Sequence, residues 1–166
     1  HIQYLPHLKF EHYSYLEKIV KQCHKANTKK KISIEQKWLS SYFKKEIQKK
    51  DYSDIIIRWV NADIGFGVFA NRDLPEKHFI GEYAGLLRKK NRKKDLKNSY
   101  CFEYLIGEEI ETPYTIDAED QGNFSRFINH SAEGNCDPML IYHHQLMKVI
   151  IYTNQKVKKG EQLTYD

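Results

Sequence analysis

The chain has 166 residues, which suits one compact domain with at most a small appendage, and 40% hydrophobic with 13% aromatic residues excludes wholesale disorder. No apolar run approaches the roughly 18 residues of a membrane-spanning helix. His1 to Phe10 also lacks the charged-then-apolar layout of a secretory leader. Three cysteines, Cys23, Cys101 and Cys136, form no C-x-x-C and no paired framework, so a reducing interior is expected, with no metal site and a soluble, intracellular chain. The net charge of +5 is uneven. From His1 to Ser53, twelve lysines stand against five carboxylates, whereas the remainder is slightly acidic and holds seven of its positive charges in the run Arg88 to Lys97. A basic flank could lie against nucleic acid or simply favour solubility, and an acidic body suits a lysine-rich peptide.

Taken in order, residues 1–53 read as a basic helical flank. Tyr13, Leu16, Ile19, Val20 and Cys23 give the stripe of an amphipathic helix, with Ser14 and Glu17 as a candidate capping box. A second box, Ser33 with Gln36, opens a helix expected to bury Trp38, Leu39, Tyr42, Phe43 and Ile47. The two helices are expected to pair and to pack on the body. From Asp54 the period changes. Ile55 to Val60 is β-branched and aromatic and reads as a strand, and Asn61 to Gly65 turns the chain back into Gly67 to Ala70. Gly65 and Gly67 around Phe66 permit positive φ and close approach of a ligand to the main chain, or a plain bulged hairpin. Further strands are expected at Phe79 to Leu87, Tyr100 to Ile106, Tyr114 to Asp117, Leu140 to Tyr142 and Met147 to Thr153, with Pro113 breaking the chain before the third. Short strands without β-α-β alternation predict an α+β, mainly β body over 54–166.

One stretch stands apart. Gly122 to Ser131 mixes Phe124, Phe127 and Ile128 with an arginine, two asparagines, a histidine and two serines. Apolar groups that dense want burial, and the polar groups among them then need partners or a ligand. Gly65-Phe66-Gly67, Tyr83-Ala84-Gly85, Arg126-Phe127-Ile128-Asn129-His130-Ser131 with Asn135-Cys136 soon after, and Gly160-Glu161-Gln162-Leu163-Thr164-Tyr165-Asp166 follow in that order. In this order and spacing the chain resembles the SET-domain protein lysine methyltransferases from about Asp54 to its last residue.

The resemblance implies small curled sheets around a C-terminal pseudoknot, S-adenosyl-L-methionine as cofactor, and a lysine of a protein or peptide, a histone tail first among them, as substrate. It implies backbone contacts to the cofactor around Ile64, Gly65, Phe66 and Gly67, with Tyr100, Arg126, Asn129 and His130 completing that site. Tyr83 would line the lysine channel. Tyr165 would hold a water that leaves room for one methyl group only. The family motif ends in aspartate followed by a catalytic tyrosine, and the sequence is expected to continue past Asp166 to supply it. Cys136 is expected to be a buried thiol rather than a zinc ligand. A nuclear or chromatin setting follows for a eukaryotic chain or a bacterial effector, and a cytoplasmic one otherwise. Two alternatives stay open: a non-histone target, and an inactive SET-like module that binds peptide or nucleic acid.

Overall fold

The computed structural model describes all 166 residues, and its architecture is mainly β with a few short helices. Four small open sheets surround a shared core. In chain order the strands are β1 (Gln3–Tyr4), β2 (Lys9–Phe10), β3 (Ile55–Asn61), β4 (Gly65–Ala70), β5 (Phe79–Glu82), β6 (Leu86–Lys89), β7 (Cys101–Ile106), β8 (Ile110–Asp117), β9 (Gln121–Gly122), β10 (Asn129–His130), β11 (Cys136–His143), β12 (Leu146–Thr153) and β13 (Gln162–Tyr165). The helices are α1 (Tyr13–Thr28), α2 (Ile34–Tyr42), α3 (Lys44–Lys49) and α4 (Arg92–Asp95), and Phe124–Phe127 forms a 3-10 turn. The sheet orders are β1-β9, β10-β13-β4-β3, β11-β12-β5 and β2-β6-β8-β7. No helix is long and apolar enough to cross a membrane.

The N-terminal third is woven into this body. β1 pairs in parallel with β9 and β2 with β6, neither of which the sequence pattern announced, because two-residue strands carry no periodicity. Ile19, Cys23 and Ala26 of α1 join the main core beside Tyr104, Ile106 and Met147. The expected helical pair is not what forms. α1 packs on β12, β2 and β7, while α2 lies across β11, where Leu39, Phe43 and Ile47 meet Ile141 and Ile150. The Ser33–Gln36 capping box is present in full, whereas α1 starts at Tyr13 behind His12, with no side-chain cap. Trp38 and Tyr42 were expected inside; they lie outside, 47% and 52% exposed and stacked on each other.

Two strands differ from expectation for local reasons. Phe79 to Leu87 is two strands, because the chain leaves the β12 sheet after Glu82 and enters the β8 sheet at Leu86. Tyr83-Ala84-Gly85 is the crossing between them. β8 runs through Pro113, which would break a regular ladder. Here Thr112, Pro113 and Tyr114 bulge opposite the single residue Tyr104, so the missing N–H falls where no pair forms.

The C-terminus makes the pseudoknot. β13 slots between β10, which it parallels, and β4, which it opposes, although residues 131–161 intervene. The loop after β10 crosses directly over this inserted strand. Asn135 Nδ2 donates to the Gln162 carbonyl at 2.9 Å, and the Thr164 N–H donates to Asn135 Oδ1 at 3.0 Å. The Asn154 amide donates to Gly134 O at 3.1 Å and holds the loop from behind. A Cβ on Gly134 would fall 2.7 Å from the Cα of Tyr165, backbone against backbone, with nothing flexible to yield. Gly134→Ala is therefore expected to destabilise the protein by about 2 kcal/mol or more. Amide exchange should rise in β13 and β10 before it rises in α1. Unchanged urea stability and unchanged β13 protection would contradict this packing.

Candidate functional site

The 3-10 turn and β10 form one wall of a hollow of about 380 Å3 lined by Asp63, Ile64, Tyr83, Ser99, Tyr100, Arg126, Ile128, Asn129, His130 and Tyr165. Its parts come from places far apart in sequence, and each is held by its own device. Asn123 caps the turn, accepting from the Ser125 N–H and donating to Glu82 O at 2.8 Å, which ties the turn to β5. Arg126 donates from Nε to Ala118 O at 2.7 Å and from Nη2 to Glu119 O at 3.0 Å. Its guanidinium then lies 4.1 Å from the centre of the Tyr100 ring. The Asn129 amide donates to Phe66 O at 3.2 Å, joining β10 to the Gly65–Gly67 stretch. The Tyr83 hydroxyl donates to Tyr100 O at 2.8 Å, and His130 meets Tyr165 edge to face at 4.5 Å.

Of the residues singled out by sequence, Ile64, Tyr83, Tyr100, Arg126, Asn129, His130 and Tyr165 are brought together here. Gly65, Phe66 and Gly67 are not on the lining. Gly65 takes a positive φ of 80° beside Ile64. The Phe66 ring turns away to Trp59 and Phe127, and only its carbonyl faces Asn129. Gly67 is buried, and a Cβ there would meet the end of the Gln162 side chain of β13 at 2.6 Å. Asp63, Ser99 and Ile128 were missed. Ser99 and Ile128 adjoin residues already singled out, and Asp63 lies in a turn that sequence marks only as a turn.

Burial raises the hydroxyl pKa of Tyr83 and of Tyr165, so both remain neutral donors. Cys136 is buried and burial pushes its thiol up to about 12, the opposite of an activated thiolate.

A second hollow of about 380 Å3 lies beyond Tyr165 and His130, which line both. Its remaining wall is Cys101, Phe102, Glu103, Leu105, Pro138, Leu140 and Asp166, between the strands β7 and β11. The Tyr165–His130 contact thus separates a polar, aromatic hollow from one with a mostly apolar wall. The first holds ring faces, a guanidinium whose Nη1 has no protein partner, and amide groups. That set offers hydrogen-bond donors, acceptors and a positive charge to a polar ligand.

Behind Tyr100 sits a buried ionic cluster. Arg88 donates to Asp117 at 2.7 Å and to Asp95 at 2.6 Å, and Lys94 and Asn98 also donate to Asp117 at 3.0 and 2.9 Å. Asn98 Oδ1 accepts from the Tyr100 N–H, so the cluster fixes where that ring stands.

A family model described as SET domain matches residues 65–166. Histone-lysine N-methyltransferase set-2 of Caenorhabditis elegans is 30% identical over 133 residues, covering 76% of this chain and 9% of that protein. Histone-lysine N-methyltransferase SETD2 of Homo sapiens is 33% identical over 130 residues, covering 74% and 5%. The chain therefore spans less than a tenth of the length of either relative. A structure described as ctPRC2 in an autoinhibited conformation bound to S-adenosylmethionine superposes with a TM-score of 0.59 at 27% identity, over 72% of this chain and 16% of that one. KRYPTONITE in complex with mCHH DNA, H3(1-15) peptide and SAH gives 0.53 at 31%, over 64% and 21%.

Burial disfavours the Asp117 carboxylate, but hydrogen bonds from the Glu119 N–H, Arg88, Asn98 and Lys94 together outweigh it and bring the pKa down to about 2. A depressed folded-state pKa gives stability that is present above the unfolded value near 4 and lost as pH falls through about 2. Asp117→Asn should destabilise the protein by about 3 kcal/mol at pH 7. The gap from wild type should close between pH 4 and 2, read as urea midpoints. A gap that persists at pH 2 would contradict the ionic role.

Proposed function

The chain belongs to the SET-domain family, and from that premise we propose that it is an S-adenosylmethionine-dependent protein lysine N-methyltransferase. The observation that supports this reading most is the pair of hollows meeting at Tyr165 and His130. In this assignment 54–166 is the catalytic SET domain, and 1–53 is a flank that shares its core. Arg126, Asn129, His130 and Tyr100 hold the cofactor in the first hollow, with backbone groups from Ile64 to Phe66 completing the rim. When bound, S-adenosylmethionine supplies a methyl group on a sulfonium, a carbon that a neutral amine can attack directly.

The chain's own part is to present that amine. A free lysine at pH 7 is almost wholly charged, and uncharging it demands about 4 to 5 kcal/mol given its usual pKa near 10.4. The apolar wall of Phe102, Leu105, Pro138 and Leu140 strips water from the incoming side chain and lowers that value. Tyr83 and Tyr165, both buried and neutral, flank the path without adding a charge that would hold the proton in place. Orientation of the nitrogen by such walls is where most of the rate enhancement would arise. Asp166 at the second hollow suits a basic peptide, Glu103 there being already paired with Lys90, and a histone tail is the substrate proposed first. Tyr165 limits the room beside the amine, so monomethylation is proposed as the main outcome. A nuclear, chromatin-associated setting accompanies that substrate.

Asn129→Ala should weaken S-adenosylhomocysteine binding by about 10-fold to 100-fold, the equivalent of one buried polar contact with its stranded partner, while circular dichroism stays unchanged. Calorimetry that finds wild-type affinity in the folded variant would overturn the assignment of that hollow. Tyr165→Phe should move the product of a peptide assay from monomethyl towards di- and trimethyl-lysine. Abundant trimethyl-lysine from the unmutated enzyme, read by mass spectrometry, would refute the restriction at Tyr165.

A further inference from the structure

We infer that the outward face of α1 is a docking surface for the phosphate backbone of a nucleic-acid duplex. The helix buries Ile19, Cys23 and Ala26 against the body. Lys18, Lys21, Lys25 and Lys29 recur at intervals of three and four residues, which places them along one side of the helix, away from the buried stripe. All four are exposed, and Lys30 and Lys31 extend the run past the helix end. The lysines that do form ion pairs are Lys49, Lys90, Lys94 and Lys148, and none of the six in this run is among them. Like charges one turn apart destabilise a helix by a few tenths of a kcal/mol each. Glu17, one turn before Lys21, is the one carboxylate in α1 to set against them.

The stripe spans about 16 Å from Lys18 to Lys29 at the helical rise. That length matches several successive phosphates of one duplex strand, which repeat every 3.4 Å. The surface offers mainly charge, and its apolar part is confined to the hollow under Lys25 and Lys29. Lys25 and Lys29 border a hollow of about 320 Å3 whose apolar floor is Ala26, Ile106 and Ile110. At the far end Lys30 and Lys31 share a larger hollow, about 460 Å3, with Ser33, Glu108 and Glu109. Those two carboxylates bound the basic surface, so the duplex path runs along α1 and stops short of the β7–β8 turn.

Position adds meaning. Ile106 at the end of β7 lines the hollow under Lys25 and Lys29, while Cys101, Phe102, Glu103 and Leu105 of the same strand line the second hollow of the candidate active site. At a rise of about 3.3 Å per residue, the hollow under Lys25 and Lys29 therefore begins next to the substrate cleft along β7 and lies no more than about 17 Å from its far end. A peptide substrate attached to nucleic acid would be held at both places at once, and its effective concentration at the cleft would rise accordingly.

Fluorescence anisotropy of a labelled 20-base-pair duplex with the whole chain tests this without any catalytic readout. Four phosphate contacts predict a fall in affinity of about 100-fold between 50 and 200 mM salt. The quadruple variant Lys18→Gln, Lys21→Gln, Lys25→Gln, Lys29→Gln should bind at least about 10-fold more weakly at 50 mM and with a much flatter salt dependence. Lys158→Gln with Lys159→Gln, an exposed pair at the turn before β13, should leave affinity unchanged. Wild-type circular dichroism and wild-type S-adenosylhomocysteine affinity in the quadruple variant show that it is folded, and the double variant Lys21→Gln, Lys25→Gln serves if it is not. Unchanged duplex binding in these variants, an equal loss in the Lys158 and Lys159 variant, or tighter binding to phosphatidylserine vesicles than to the duplex would each overturn the inference.

Discussion

The side chain of Asn135 fixes the place where the chain crosses itself. It donates to one carbonyl of β13 and accepts from one of its N–H groups, so the amide acts as a rung of a ladder that has no strand there. With β10 and β4 on its flanks and Gly134 pressed against Tyr165, the last strand is held on every side. Each buried backbone group left unpaired would cost 1 to 3 kcal/mol, so the crossing is specific to this register. Tyr165 enters the site only because β13 is threaded, and His130 faces it only because β10 is the neighbouring strand. The wall between the two hollows is therefore a product of the crossing.

The remaining site groups are delivered by similar but separate clamps. Tyr83 stands where the chain switches sheets, with its N–H on Val149 O and its hydroxyl on Tyr100 O. Arg126 is braced by Ala118 and Glu119, directly after the buried Asp117 that Arg88, Lys94 and Asn98 surround. The N-terminal segment supports both regions from outside. Leu5 N–H donates to Gly122 O ahead of the 3-10 turn, and Lys9 N–H donates to Gly85 O just after Tyr83. Residues far outside the matched span 65–166 thereby hold the approaches to the site.

Much of this was legible in the sequence, and the parts that were not share a physical reason. Strands rich in β-branched and aromatic residues, such as β3 and β12, and a helix with a complete capping box, α2, declare themselves through local chemistry. The ordered motifs singled out Tyr83, Arg126, Asn129, His130 and Tyr165, which the fold brings to one hollow together with Tyr100. Pairings such as β1 with β9 depend on residues more than a hundred positions apart and leave no local period. Tolerance of Pro113 within β8 rests on Tyr104 opposite it. Trp38 and Tyr42 had the spacing of a buried stripe, but the sheet beneath α2 accepts only the side bearing Leu39 and Phe43. The Gly67 assignment illustrates a further limit: a glycine permits close approach, and sequence does not say whether a ligand or neighbouring side chains approach.

Charge is partitioned as clearly as packing. The basic residues gather on the helical flank and in the run from Arg88, where several pair with Asp95, Asp117 and Glu103, leaving Asp166 as the unpaired carboxylate at the second hollow. The central claim is that the threaded strand builds the first hollow, proposed above as the cofactor's. Calorimetric titration of Asn135→Ala with S-adenosylhomocysteine, alongside amide exchange of β13, tests it directly. The account predicts that affinity falls together with the protection of β13 while α1 and β12 stay protected. Wild-type affinity in a protein whose β13 has lost its protection would contradict it.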